Sequence, residues 1–288
     1  MDEISIDPPL HAVRKAVALA LAEDLLPLGD LSANLVDSSS TAETEVVARA
    51  PGVVAGRLCA LETFRQIDPT IDVVWRTPDG TGVSSGAVVA EVRGPLRSIL
   101  TAERTALNFL CHLSGVASTT RRVVDAVFEA NPSTRVVDTR KTLPGLRSLQ
   151  KAAVRAGGGR NHRGSLSDGV LLKDNHLGGT EIATAVARAL AQFPLRMVEV
   201  ECDVASQAME AAAAGAHVVM LDNMTPEQVA DAVCALRAAG HGVLVEVSGG
   251  LDETTAPAFA AAGADLLSVG ALTHSAAALD LGLDLLAP

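Results

Sequence analysis

"TRVVDTRKTLPGLR", residues 134–147, begins as an apolar, β-branched strand and then places Asp138, Arg140 and Lys141 where that strand ends. A β-branched run suits a buried, pleated segment. Five more short apolar runs with polar exits follow along the chain: "GVLLKDNH" (169–176), "RMVEVECD" (196–203), "HVVMLDN" (217–223), "GVLVEVSGG" (242–250) and "ADLLSVGALTH" (264–274). Ala-rich stretches with helical character separate them. One of these opens with "TPEQ", in which Thr225 can cap, Pro226 suits the first helical position and Gln228 can close a capping box. The exit residues Lys141, Lys173, Glu201, Asp222, Ser248 and Gly270 are spaced by 32, 28, 21, 26 and 22 positions, which fits repeated βα units.

Repeated βα units imply a parallel sheet covered by helices. Residues 116–275 are too few for the roughly 250 of an eight-unit barrel. The expectation is therefore an open, incomplete α/β barrel of six or seven strands, with an open doubly wound sheet as the alternative. In both architectures ligands bind at the carboxyl ends of the strands, where all the exit residues fall.

Ahead of this region, "ETEVVARAPGVVAGR" and "GAVVAEVRGPLRSIL" read as strands with Gly and Pro turns, and "HAVRKAVALALAED" as an amphipathic helix. They predict a separate α/β domain over residues 1–115, with the barrel over 116–275 and a tail, 276–288, packing back on the first domain. At the junction, "TAERTALNFLCHLSG" predicts a helix capped by Thr101, with Glu103 in its first turn and Ala106, Leu107, Leu110 and Leu113 as its apolar stripe. Arg104 lies off that stripe.

Charge gives the exit residues their meaning. The chain carries 34 acids against 23 Lys plus Arg, a formal net charge of -11, so nucleic acid is not an expected partner. Aromatic residues make up 2% of the chain, leaving little surface for stacking bases. Between Arg140 and Lys173, however, Arg140, Lys141, Arg147, Lys151, Arg155, Arg160, Arg163 and Lys173 stand against Asp168 alone. Each of these cations taken singly reads as a solvated charge. Together, at corresponding strand ends, Arg140, Lys141, Arg163 and Lys173, with His162 beside them, read as a pocket for a small, highly charged anion. Arg grips carboxylate or phosphate bidentately and Lys supplies a mobile point charge. Gly157, Gly158 and Gly159 permit either backbone approach to a ligand or a flexible turn.

Acids complete the set. Glu199 and Glu201 share a strand face, and Asp222 closes the next strand. Buried acids need partners, and Glu201 and Asp222 suit Mg²⁺ or ribose hydroxyls; ion pairs with the basic island are the alternative. Ser248, Gly249, Gly250, Gly270 and His274 end the last two strands, where barrels commonly hold phosphate. The inventory describes a sugar phosphate together with a second anion. Cys59, Cys111, Cys202 and Cys234 form no CxxC pair, so neither a disulfide framework nor a zinc site is expected. The acidic, Pro-broken opening "MDEISIDPPL" is unlike a secretory leader, and no apolar run reaches the length of a membrane span. A cytoplasmic protein is expected.

Eight segments, in order, resemble the quinolinate phosphoribosyltransferase family: "GDLSANL", "GPLRSILTAERTALNFLCHLSGVAS", "DTRKTLPGLR", "AVRAGGGRNHRGSLSDGVLLKDNH", "VEVEC", "MLDNM", "EVSGG" and "SVGALTHS", within residues 29–275. The resemblance implies an α/β sandwich beside an open α/β barrel. It also implies transfer of phosphoribose from phosphoribosyl pyrophosphate to quinolinate, with decarboxylation to nicotinate mononucleotide, in NAD biosynthesis. Mg²⁺ is the implied cofactor, and the implied assembly is a homodimer, or dimers further associated, in which Arg104 completes the neighbour's site. Arg104, Arg140, His162, Arg163 and Lys173 are the implied quinolinate ligands, and Lys141, Ser248, Gly249, Gly250, Gly270 and His274 those of phosphoribosyl pyrophosphate. Lys141, Glu201 and Asp222 are the implied catalytic residues, the two acids also holding the metal. Rival readings are a nicotinate-specific transferase, a molybdenum-associated relative, a Schiff-base aldolase using Lys141 or Lys173, and a non-catalytic metabolite-binding module.

Overall fold

A computed structural model describes residues 5–286. The first four residues of the acidic opening and the last two of the tail lie outside the described residues. In chain order the elements are α1 (Leu10–Leu25), a 3₁₀ turn (Ala33–Leu35), β1 (Thr41–Ala48), β2 (Gly52–Val53), α2 (Arg57–Ile67), β3 (Asp72–Trp75), β4 (Gly82–Val83), β5 (Val88–Pro95), α3 (Leu96–Ala130), β6 (Arg135–Val137), α4 (Arg147–Ala156), β7 (Val170–Leu172), α5 (Asp174–Leu177), α6 (Ile182–Gln192), β8 (Val198–Cys202), α7 (Ala205–Ala213), β9 (Val218–Asp222), α8 (Pro226–Ala238), β10 (Leu244–Ser248), α9 (Ala256–Ala261), β11 (Leu266–Ser268), α10 (Ala271–His274) and β12 (Leu281–Leu285). They form two compact units: residues 1–121, 142–158 and 275–288, and residues 122–141 and 159–274. No helix among the described residues is long and apolar enough to cross a membrane.

In the first unit an antiparallel sheet runs in the order β12-β1-β5-β3. Its inward residues Val46, Ala48, Ala90 and Val92 pack with Phe64 of α2 and with Ile99, Ala102, Ala106, Leu107 and Leu110 of α3. The tail supplies β12, whose Leu281 pairs in register with Ala48. The apolar stripe of α3 is buried, as its spacing requires, but α3 begins at Leu96, directly after Pro95. Thr101 is thus not a cap: its hydroxyl donates back to the Arg97 carbonyl, 3.0 Å away, and lies 3.2 Å from the Asp30 carboxylate. A Thr satisfied in this way is tolerated within a helix, and its capping preference misleads.

Residues 142–158, which follow the first parallel strand in the chain, cluster with the first unit. Side-chain contacts on α4 account for this. Arg155 donates to the carbonyls of Ser5 and Asp7, and Gln150 lies 3.0 Å from the His112 ring. Gly157 presses so closely on α3 that a methyl group there would sit 2.5 Å from the Ala117 carbonyl. The glycine run therefore serves a helix end and a close approach between helices of one unit.

The second unit holds six parallel strands in the order β6-β11-β10-β9-β8-β7, and the sheet does not close. First and last strands are neighbours, as in a barrel, while β6 and β7 remain edges. The free edge of β6 is partly covered by a parallel bridge between Val137 and Arg160, in which Arg160 N–H donates to Val136 and Asp138 N–H to Arg160. That fragment is the rudiment of a seventh strand. Val198, Val200, Val219, Leu221, Val245, Val247 and Leu267 are buried along the sheet, the apolar run expected of strands covered on both faces. The box at the start of α8 forms as its sequence dictates: Thr225 Oγ1 accepts from the Gln228 N–H and Gln228 Oε1 from the Thr225 N–H.

Candidate active site

All six parallel strands converge at their carboxyl ends on one cavity of about 390 Å³. Thr139, Arg140 and Lys141 follow β6, Lys173 follows β7, and Glu201, Asp222, Ser248 and Ser268 lie at or near the ends of β8, β9, β10 and β11. Leu171 and Met220 give the floor an apolar strip, while His162 and Arg163 enter from the loop after the Arg160 bridge. Of the eight cations in the basic island, Arg140, Lys141, Arg163 and Lys173 line this cavity. Arg147, Lys151 and Arg155 belong to α4 in the first unit.

Buried Asp138 organises the entry loop. One of its oxygens accepts from the His162 N–H at 2.9 Å and the other from the Asn161 side-chain amide at 2.6 Å. Asp168, the single acid of the island, closes the next turn by accepting from the N–H groups of Gly164 and Ser165. Arg163 donates to the Gly169 carbonyl. Burial and then the nearby Arg140 push the Arg163 guanidinium down from its ordinary value. A guanidinium that is partly desolvated beside a second cation favours an anionic ligand.

The Lys173 ammonium donates to the Glu201 carboxylate, which joins the cationic side of the cavity to its acidic side. The ion-pair reading of the acids thus describes Glu201. Asp222 accepts from the side-chain amide of Asn223, 2.6 Å away. Asn223 adopts a left-handed φ of 55° and its N–H donates to the Ser248 carbonyl. Gly249, at φ +111°, packs on Asn223 so tightly that a methyl group would meet its side-chain oxygen at 2.3 Å. Lys141 and His274 flank Gly270: a methyl group there would lie 3.2 Å from Lys141 Cδ and 3.1 Å from His274 Nε2. The Thr273 hydroxyl holds the Lys141 carbonyl at 2.8 Å.

Of the residues singled out in the second unit, Arg140, Lys141, His162, Arg163, Lys173, Glu201, Asp222 and Ser248 line the cavity, whereas Gly249, Gly250, Gly270 and His274 follow the same strand ends without lining it. Arg104 belongs to the first unit, exposed on α3 and 4.0 Å from Glu103. Glu201 and Asp222 offer two hard carboxylate donors to one cavity, a set suited to Mg²⁺ with the remaining positions taken by phosphate and water. His162, Glu199 and Glu246 also bring three ligand-type atoms within 4.8 Å of one another. There, however, the ring nitrogen and the carboxylates stand at hydrogen-bond separation, with His162 Nε2 3.0 Å from Glu199 and 3.4 Å from Glu246. Burial alone would lower the His162 pKa; hydrogen bonds to Glu199 and Glu246 and their charges more than offset it, and the value is pushed up to about 10. Sequence reasoning missed Glu246, Ser268 and Thr139. A Glu inside "VLVEVS" was the available signal, since a central parallel strand has no exposed face for it.

Comparison with known proteins agrees over the length of the chain. Residues 30–114 match the N-terminal domain of quinolinate phosphoribosyl transferase and residues 116–284 its C-terminal domain. A carboxylating nicotinate-nucleotide pyrophosphorylase of Mycobacterium leprae is 41% identical, over 97% of this chain and 99% of the relative. Its Homo sapiens counterpart is 40% identical over 88% and 86%. Among solved structures, the nicotinate-nucleotide pyrophosphorylase of Francisella tularensis superimposes with a TM-score of 0.92 at 40% identity, covering 99% of this chain and 100% of that one.

Proposed function

The chain belongs to the quinolinate phosphoribosyltransferase family, and from that membership we propose that the cavity at the strand ends is where its reaction occurs. The enzyme transfers phosphoribose from phosphoribosyl pyrophosphate to quinolinate and releases pyrophosphate and CO₂, giving nicotinate mononucleotide for NAD biosynthesis. The observation that carries the site assignment is the pairing of Arg140 with Arg163 beside Lys173 in a pocket whose far wall is acidic.

Arg140 and Arg163 grip the two carboxylates of quinolinate, with His162 and Lys173 completing the cationic wall. A substrate carboxylate competes with Glu201 for Lys173, and its arrival releases Glu201 toward the ribose. The pyridine nitrogen attacks the anomeric carbon as pyrophosphate leaves, through a transition state with oxocarbenium character. Positive charge then develops on the sugar, where Glu201 and Asp222 stabilise it, and negative charge on the leaving group, where Lys141 offsets it. Fixed charges aimed at such positions are the largest catalytic contribution open to a site of this kind. Once the ring nitrogen is quaternary, the adjacent carbon–carboxylate bond breaks, CO₂ departs and the electron pair left on the ring carbon is protonated. Ser248, Gly249, Gly250, Gly270 and His274 hold the 5′-phosphate. Glu201 and Asp222 would hold Mg²⁺, which neutralises charge on the pyrophosphate when bound.

The proposal includes a homodimer in which Arg104 of one protomer completes the other's quinolinate site; exposure of Arg104 on its helix supports this. It also places the reaction in the cytoplasm, in keeping with four cysteines that are all free thiols. The direct test is turnover with quinolinate labelled at the 2-carboxylate, run beside nicotinate. Labelled CO₂ appearing in step with mononucleotide supports the site, and turnover of nicotinate alone overturns the dicarboxylate pocket.

A further inference from the structure

Beneath the cavity floor lie two carboxylates that the reaction above does not use. Glu199 on β8 is 5% exposed and Glu246 on β10 is 0% exposed. They belong to strands separated by β9, yet both turn into the barrel toward the same histidine. The Ser268 hydroxyl donates to the other oxygen of Glu246, tying that carboxylate to β11 as well. Removing two carboxylates from water costs several kcal/mol each unless a partner of opposite charge meets them. His162 is that partner: it bridges them through one atom, Nε2, at 3.0 and 3.4 Å. A metal at this place would need the Nε2 lone pair, whereas the hydrogen-bonded spacing assigns Nε2 a proton.

A ring held at one edge by the close contact to Glu199 on β8, 3.0 Å away, and by the charge of Glu246 on β10, 3.4 Å away, cannot turn about its Cβ–Cγ bond without losing both. Its backbone is pinned independently, through the His162 N–H to Asp138. The imidazole is thus fixed from below and behind, while it also forms part of the wall facing the substrate. We propose that Glu199 and Glu246 are positioning residues for quinolinate recognition, acting through His162 by clamping its ring as a fixed cationic donor in the cavity wall. Positive charge on the ring is consistent with the raised pKa noted above. The inference rests on the reading of the cavity as the quinolinate site. It adds specificity determinants that touch no substrate atom.

The test is a set of steady-state measurements on Glu199→Gln, Glu246→Gln, His162→Asn and the combination Glu199→Gln with His162→Asn. Glutamine keeps the shape and an acceptor oxygen but removes the charge. Each Glu variant is expected to raise KM for quinolinate by about tenfold, the loss of one charge-assisted contact, with kcat within about twofold and KM for phosphoribosyl pyrophosphate unchanged. On the His162→Asn background, Glu199→Gln is expected to add nothing further, because both changes remove the same interaction. Additive effects would assign Glu199 a role independent of His162 and overturn the inference. Unchanged KM in both Glu variants, with His162→Asn impaired, would overturn it while leaving the quinolinate reading intact. Unchanged KM in His162→Asn would overturn that reading itself. A second measurement uses the unaltered protein: nitrogen-15 NMR of the His162 ring is expected to show a slowly exchanging proton on Nε2, and a bare Nε2 would refute the clamp.

Discussion

Replacing Gly249 by Ala tests whether the turn after β10 is a strut for Asp222. Two costs follow from the geometry. An Ala forced to φ +111° loses about 2 kcal/mol in backbone strain. Its methyl group, 2.3 Å from the Asn223 side-chain oxygen and 3.0 Å from its backbone nitrogen, must also displace Asn223. Asn223 cannot retreat as a unit, because its N–H is bonded to the Ser248 carbonyl at 3.0 Å. The side chain gives way instead, and its exposed bond to Asp222 is lost at a cost of about 1 kcal/mol. The expected total of about 3 kcal/mol lowers Tm by roughly 6–12 °C. Gly250→Ala is the internal control: at φ +61°, with nothing within 4 Å, it carries backbone strain alone. That loss is about 1 kcal/mol, or roughly 2–4 °C. Differential scanning calorimetry of both variants reads the difference. Equal melting temperatures would refute the claim that Gly249 props Asn223 against Asp222.

Two other outcomes follow from the same geometry. Two groups in the clamp bind protons more tightly in the folded chain: His162 is raised to about 10, and burial raises Glu199. Below the unfolded histidine value, about 6.5, the His162 contribution is fully present, and it is lost as pH rises through about 10; a raised acid gives a slope of the same sign. Stability from urea titrations is expected to fall between pH 6.5 and 10, and His162→Asn to flatten that fall; an equally steep fall in the variant would place its origin elsewhere. For the shared site, mixed Arg104→Ala and Lys141→Ala protomers are expected to recover partial activity after subunit exchange, whereas proven exchange without recovery would count against a site shared between protomers.

The strands were legible because each has a β-branched interior and a polar exit, and the carboxyl-end rule then placed Arg140, Lys173, Glu201, Asp222 and Ser248 around one cavity. The capping box at Thr225 was legible because both of its bonds lie within four residues. Contacts between segments distant in the chain were less so. Nothing within "GLRSLQKAAVRAGGG" says that Arg155 meets residues Ser5 and Asp7, the contacts that draw α4 into the first compact unit. Thr101 offered a local cap that the preceding residues, already helical, did not need. The sequence around His162 does not show what lies beneath its ring, because that edge is set by Glu199 and Glu246, which arrive 37 and 84 positions later.

The central claim is that Arg140 and Arg163 form the dicarboxylate grip in the cavity at the strand ends. Isothermal titration of quinolinate into the unaltered protein and into Arg163→Ala tests it most directly, with nicotinate as the second titrant. The loss of one charge-assisted contact of roughly 1.5–3 kcal/mol predicts quinolinate binding weakened by about tenfold or more, with nicotinate binding weakly to both proteins. Quinolinate affinity unchanged by the substitution would contradict the account and move the substrate out of this cavity.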